Sequence, residues 1–282
     1  MERVVKIVSG RYTVDCNGKR RECTAKGNLK IKADGIVTGD FVETENDVIV
    51  GVMPRKNRLQ RPNVANIDAV AVVVANPPVP DLYLIDKIIA AVKRQNIHTV
   101  IAVNKTDISD ETLKKIKSNY ESVADKIFCV SAKSGDGTEE FGAYLKGKLT
   151  VFTGQSAVGK TSLLNRLFGK DMRVGDVSRK TERGKQTTTV SEIFSENGAD
   201  IIDTPGFTAF EFNGEAKDLS GGYAEIAEAA KNCRFGDCRH INEPDCAVRE
   251  AVEAGEINSE RYSRYVELFN KLKEKENYGK KR

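Results

Sequence analysis

The stretch Gly154-Gln-Ser-Ala-Val-Gly-Lys-Thr161 constrains this chain more than any other. It follows the apolar run 149–153 and precedes 163–168, whose apolar spacing is helical. A strand, a glycine-rich turn and a helix in that order make a phosphate cradle. Backbone N–H groups of the turn wrap the anion, and the helix N-terminus favours negative charge. In that frame Lys160 reaches the β- and γ-phosphates, and the Thr161 hydroxyl ligates Mg²⁺. Gly154, Gln155, Ser156, Ala157, Val158, Gly159 and Ser162 complete the loop. A plain glycine-rich turn is the competing reading, and the flanking strand and helix argue against it.

The surrounding sequence supplies the α/β layer such a loop needs. Residues 68–75 are a continuous apolar run, as expected of a strand buried on both faces. Residues 82–94 repeat apolar side chains at helical spacing, and 99–103 read as a second buried strand. A helix at 111–120, a strand at 127–130, a helix at 138–145 and strands at 190–194 and 200–202 follow. This predicts a doubly wound, mostly parallel sheet over 64–212. Residues 1–63 hold short β-like runs at 4–8, 12–14, 21–25, 41–44 and 48–52, which predicts a small OB-type barrel. The charged, proline-flanked stretch 53–62 reads as a linker. Beyond 212 the strands stop. Residues 219–230 read as one helix, and Tyr262, Tyr265, Val266, Phe269 and Leu272 mark one face of another. The expected fold class is multidomain α/β: an N-terminal OB-fold barrel (1–63), a P-loop domain (64–212) and a C-terminal helical zinc-binding domain (213–282).

Asn104-Lys105-Thr106-Asp107 falls at the C-terminal end of the 99–103 strand, where open α/β sheets bind ligands. It resembles the guanine-recognition motif of GTPases. Asp107 would accept from guanine N1 and N2, while Asn104 and Lys105 shape the pocket. Ser131-Ala132-Lys133, after the next strand, is similar to the second base-contacting loop of the same superfamily. GTP is therefore the expected nucleotide. Asp203-Thr-Pro-Gly206 would hold Mg²⁺ through water at Asp203 and sense the γ-phosphate at the Gly206 N–H. Gln186-Thr187-Thr188-Thr189 would supply the first switch, with either Thr188 or Thr189 as its Mg²⁺ ligand, which the sequence does not separate. A plain surface loop is the alternative for that stretch. The order is unusual, because the base motifs precede the phosphate loop. Strand position in the sheet, not chain order, fixes a site, so a circularly permuted chain can build it. The second switch then runs directly into the C-terminal module, and nucleotide state is expected to move that module.

Cys233-x₄-Cys238-x-His240-x₅-Cys246 offers three thiolates and an imidazole, a closed set suited to structural Zn²⁺. Cys129 reads as core, and Cys16 and Cys23 as barrel strand positions. Charge is uneven: 1–63 carry 13 Lys/Arg against 8 Asp/Glu, although the whole chain is only +4. A phosphate-backbone partner would select such a module, and a solvated surface explains it as well. No run approaches the ~20 apolar residues of a membrane span, no signal-peptide core opens the chain, and the expected location is cytoplasmic.

Taken together these motifs resemble one family over essentially the whole length, the ribosome small subunit-dependent GTPase A family (RsgA, also YjeQ or YloQ). The resemblance implies a GTPase that binds GTP and GDP, docks on the small ribosomal subunit and its rRNA, acts in late maturation and is stimulated by the subunit. It implies rRNA contact through the barrel and the zinc domain, and a monomer is expected. A GTP-dependent factor acting on another RNA is the alternative. Phe207 stands where many GTPases carry a water-orienting Gln, which predicts slow intrinsic hydrolysis. Gln186 replaces the His that family members often have, and only His98 and His240 exist in the chain. Ala157 replaces the more usual Gly and is tolerable if its φ stays negative.

Overall fold

The computed structural model describes residues 1–279 apart from 28, 30–34, 170–190, 204–209, 211 and 213. The N-terminal strands are β1 (Glu2–Val8), β2 (Arg11–Cys16), β3 (Lys19–Ala25), β4 (Phe41–Glu45) and β5 (Val48–Val52). They close into a barrel in the order β1-β2-β3-β5-β4, with β4 returning to β1. Two-residue turns whose φ is positive at both positions, such as Asn17-Gly18, join the antiparallel strands with the twist they need. Val4, Tyr12, Val14, Cys23, Val42 and Ile49 fill the interior. The stretch expected as a linker instead folds back on itself, since β6 (Arg58–Leu59) pairs with β7 (Val64–Ala65).

The central sheet has six strands in the order β10-β9-β8-β11-β13-β12. These are β8 (Ala69–Val74), β9 (His98–Val103), β10 (Lys126–Cys129), β11 (Leu149–Gly154), β12 (Ile193–Glu196) and β13 (Ala199–Asp203). All neighbours are parallel except β12 with β13. The period-2 alternation of a strand divides β8 between two cores. Val70, Val72 and Val74 pack with α1 (Leu82–Lys93) and α2 (Glu111–Tyr120). Ala71 and Val73 face the side of α3 (Thr138–Leu145) and α4 (Lys160–Phe168). Cys129, expected in the core, is exposed. It ends an outer strand whose inward position is taken by Phe128.

The C-terminal module departs from the single helix expected at 219–230. A 3₁₀ turn (Ala216–Gly222) and α5 (Ala224–Ala230) flank Tyr223, whose backbone is extended. The close approach to α1 explains the break. A Cβ on Gly222 would lie 2.5 Å from the Ala90 carbonyl oxygen, so the chain runs against α1 where only glycine fits. α6 (Ala247–Glu253) and α7 (Ser259–Gly279) complete the module, with Tyr265 and Phe269 of α7 buried as their spacing requires. Beneath α7 lies a buried ionic joint. Asp86 of α1 accepts from Arg261 and Arg264 of α7, and Arg261 also donates to Glu225 of α5. No helix among the described residues is long and apolar enough to cross a membrane.

Candidate functional site

Because β8, β9, β10, β11 and β13 are parallel, their carboxyl ends share one edge of the sheet. That edge brings together motifs separated by up to a hundred residues. Asn104 follows β9 and is buried; its Nδ2 donates to the Val158 carbonyl at 2.9 Å, inside the phosphate loop. Its Oδ1 accepts from the Ala132 N–H at 3.0 Å, so one side chain ties both base loops to the phosphate loop. Lys105 Nζ donates to the carbonyls of Pro77 at 2.7 Å and Ala157 at 2.8 Å. The Thr106 hydroxyl donates to Val130 O at 3.0 Å. The Ser131 hydroxyl donates to Asp107 Oδ1 at 2.7 Å, orienting the carboxylate whose remaining lone pairs can take guanine N–H groups. Lys133 lies exposed on the same loop.

The phosphate loop runs from the end of β11 to the N-terminus of α4. Gly159 has φ +83°, and a Cβ there would sit 2.5 Å from Asn104 Nδ2, so glycine is required by backbone and neighbour alike. Ala157 differs from expectation: its φ is +67°, not negative. The left-handed region costs a residue with a Cβ about 1–2 kcal/mol, so this substitution for glycine is strained. Gln155 accepts from Asp81 N–H at 3.1 Å and donates to Val79 O at 3.3 Å, bracing the loop against the approach to α1. Lys160 donates to Asp203 Oδ1 at the end of β13. Burial draws the Lys160 ammonium down to about 8, which still leaves it charged at neutral pH beside Asp203. Ser156, Thr161 and Ser162 are exposed at the mouth of the loop.

Gln186, Thr187, Thr188, Thr189, Gly206 and Phe207 lie outside the described residues. The two histidines are placed. His98 opens β9 at the opposite end from Asn104, and a six-residue strand puts it about 16 Å from the site edge. It pairs there with Asp125 at 3.3 Å. His240 belongs to the cysteine cluster.

That cluster has the dimensions of a metal site. The donor atoms of Cys233, Cys238, His240 and Cys246 all lie within 4.8 Å of one another. A tetrahedron with Zn–S near 2.3 Å and Zn–N near 2.05 Å has S···S edges of about 3.8 Å and S···N edges of about 3.6 Å. Cys246 Sγ lies 3.7 Å from Cys238 Sγ and 3.9 Å from Cys233 Sγ. His240 Nδ1 lies 3.5 Å from Cys233 Sγ and 3.6 Å from Cys246 Sγ. The residues therefore fit zinc. Burial, with the adjoining Cys246 and Cys233 thiols, pushes Cys238 up to about 12 against a bond from the His240 N–H, so a cation is needed to make it a thiolate. Burial lowers His240 and keeps its ring neutral, the form that ligates.

Sequence reasoning missed the supports around both centres. Glu243 accepts the N–H groups of Arg239 at 2.8 Å, Ile241 at 2.9 Å and Asn242 at 3.1 Å, which folds the ligand loop. Tyr262 and Tyr265 donate from α7 to the carbonyls of His240 at 2.6 Å and Arg239 at 2.9 Å. Their helical spacing was visible, but the partners of their hydroxyls were not. Arg166 of α4 donates to Ser134 O at 2.9 Å and so holds the second base loop from the phosphate-loop helix.

A mostly parallel sheet whose base loops precede its phosphate loop in the chain defines a circularly permuted GTPase. The comparisons give the family. The RsgA GTPase family profile matches residues 52–213. The small ribosomal subunit biogenesis GTPase RsgA of Thermotoga neapolitana is 41% identical over 284 residues, 95% of each chain. That of Caldanaerobacter subterraneus is 38% identical, covering 97% of this chain and 96% of its own. Among solved structures, YjeQ from Thermotoga maritima superposes with a TM-score of 0.81 at 35% identity, covering 96% of this chain and 97% of that one. YloQ, described as a circularly permuted GTPase, superposes with a TM-score of 0.78 at 29% identity, covering 97% and 95%. This chain belongs to the RsgA GTPase family.

Proposed function

We propose that this protein is a Mg²⁺-dependent GTPase that binds the small ribosomal subunit and its rRNA, acts in late maturation, and hydrolyses GTP to GDP and phosphate when the subunit stimulates it. One observation carries the nucleotide half: Asn104 bonds both the phosphate loop and the second base loop, at 2.9 and 3.0 Å. The relatives' names carry the partner half.

In this reading Asp107 selects guanine, with Asn104, Lys105, Thr106, Ser131, Ala132 and Lys133 forming the base pocket. Gly154, Gln155, Ser156, Ala157, Val158, Gly159 and Ser162 wrap the phosphates, and Lys160 neutralises charge developing on the β- and γ-oxygens. Thr161, Asp203 and Thr188 or Thr189 would hold Mg²⁺, which supplies further charge neutralisation when bound. Gly206 senses the γ-phosphate. To do this Lys160 must leave Asp203 for phosphate, which leaves the carboxylate to the metal. Phe207 cannot orient water, His98 opens β9 at the end away from the site edge and His240 is taken up in the cysteine cluster, so the partner supplies or orders the water-positioning group. Cys233, Cys238, His240 and Cys246 hold one structural Zn²⁺. The protein works as a cytoplasmic monomer, with residues 1–63, 64–212 and 213–282 as its units.

The test is GTP hydrolysis alone, with purified small subunits and with large subunits. Stimulation by small subunits only is the expected result. Tight GTP binding with no stimulation would move the function to another RNA, and competition with tRNA would show it.

A further inference from the structure

The second base loop is braced at a point remote from the base. Inside it, the buried Ser131 uses its hydroxyl twice, donating to Asp107 Oδ1 at 2.7 Å and accepting from the Ser134 N–H at 3.1 Å. Ser134 is in turn fixed from outside the loop, because its carbonyl accepts from Arg166 at 2.9 Å. A Cβ on Gly135 would lie 2.2 Å from the same guanidinium nitrogen, so the arginine rests directly on the loop backbone. Arg166 itself is exposed on α4, whose buried residues are Leu163, Leu164 and Phe168. It fills no part of the core. It stands six residues after Lys160, about 9 Å along the helix axis. One helix thus meets the phosphate loop at its first residue and the base loop nearly two turns later.

We propose that Arg166 is a positioning residue for guanine selectivity. Acting through Ser134 and the Ser131 hydroxyl, it keeps the Asp107 carboxylate aimed at the base, a role that rests on the base pocket assigned above. Guanine offers Asp107 two donors, N1–H and N2–H, and a carboxylate meets both only with its two oxygens in the plane of the base. Hypoxanthine keeps N1–H and lacks the amino group, so one oxygen is enough for it. A carboxylate left free to turn loses the two-point contact before the single one. Arg166 therefore bears on the difference between the two bases, while the phosphate loop, which grips both nucleotides alike, is left as it was.

The full chain is titrated with GDP, with inosine diphosphate (IDP) and with xanthosine diphosphate (XDP). Wild type should favour GDP over IDP by about tenfold or more. Arg166→Ala should lower that ratio about threefold, with IDP affinity within about twofold and the urea midpoint unchanged. Ser131→Ala should lower the ratio as well. Adding Arg166→Ala to it should change the ratio no further, because the hydroxyl through which the arginine acts is gone. An unchanged ratio in Arg166→Ala overturns the proposal. So does an equal fall for GDP and IDP, which marks a general loosening of the loop, and so do additive effects in the double variant. The pocket is tested apart, by Asp107→Asn, whose amide can donate to the xanthine carbonyl and should move the preference from GDP to XDP. If it does not, or if wild type binds GDP and IDP alike, the pocket reading fails and the proposal with it. If the preference does move while Arg166→Ala keeps the wild-type ratio, only the positioning role fails.

Discussion

Replacing Asp86 with Ala removes the acceptor at the centre of the joint between α1 and α7. Its side chain is fully buried and takes two guanidiniums, those of Arg261 and Arg264, whose side chains are 2% and 12% exposed. Without it the two arginines fare differently. Arg264 keeps Asn119 at 2.9 Å and has Glu260 at 3.9 Å on its exposed side. Arg261 cannot reach water, and among the described residues the carboxylate left to it is Glu225, met through a single oxygen. Its guanidinium lies over the rings of Tyr223 at 4.6 Å and Tyr120 at 5.4 Å, faces that attract a cation but do not replace a carboxylate. Breaking a buried pair typically costs about 3–5 kcal/mol, and Glu225 places this one near the lower end.

The assay is urea unfolding followed by tyrosine fluorescence. The chain has no Trp and 8 Tyr, and four of them, Tyr120, Tyr223, Tyr262 and Tyr265, surround this joint or the metal cluster above it, so the region contributes a large part of the signal. A loss of about 3 kcal/mol or more is expected for Asp86→Ala, and pairing it with Arg261→Leu should recover part of that loss. A single-variant loss below about 1 kcal/mol would refute the view that this joint fastens the module to α1.

Nucleotide affinity should be flat below pH 8 and weaken above it by about tenfold per unit. In the proposed role Lys160 binds phosphate as an ammonium, and burial draws it down to about 8 in the free protein, so above that pH binding must take up a proton. GDP titrations between pH 7 and 9 would show this, and Lys160→Met should lose the dependence. Ala157→Gly relieves the strain at φ +67° and should stabilise the chain by about 0.5–1 kcal/mol after glycine's entropy is counted, read by thermal unfolding; destabilisation would contradict the strained loop. Glu243→Gln should speed zinc release to a chelator by about 10–100-fold, because the carboxylate folds the ligand loop. Burial alone would raise that carboxylate, but the N–H bonds outweigh burial and its pKa is lowered. Its contribution is therefore present above the unfolded value near ~4.3 and is lost as pH falls through the lower folded value.

What was legible in the sequence follows from how each feature is encoded. Strands buried on both faces announce themselves as apolar runs, and β8 and β11 lie where 68–75 and 149–153 predict. The nucleotide motifs and the cysteine cluster are local in sequence, so spacing alone exposes them. Properties set by distant neighbours were not legible. Gly222 looks like a weak point inside a helix until Ala90 is seen 2.5 Å from where its Cβ would be. The sign of φ at Ala157 depends on a loop held by Lys105, over fifty residues away. Asp86 looks like any acid on an amphipathic helix, because its partners come 175 and 178 residues later.

The barrel's charge shows how a correct count can be read incompletely. A phosphate-backbone partner and a solvated surface were the two readings of 13 cations against 8 acids. The structure adds a third destination, since Arg3, Lys6, Arg20 and Lys56 face Asp200, Glu192 and Asp68 of the sheet. Arg21 and Arg55 are paired inside the barrel, with Glu2 and Asp40. Much of the excess therefore fastens one part of the chain to another, while Lys19 and Lys26 stay exposed for a partner.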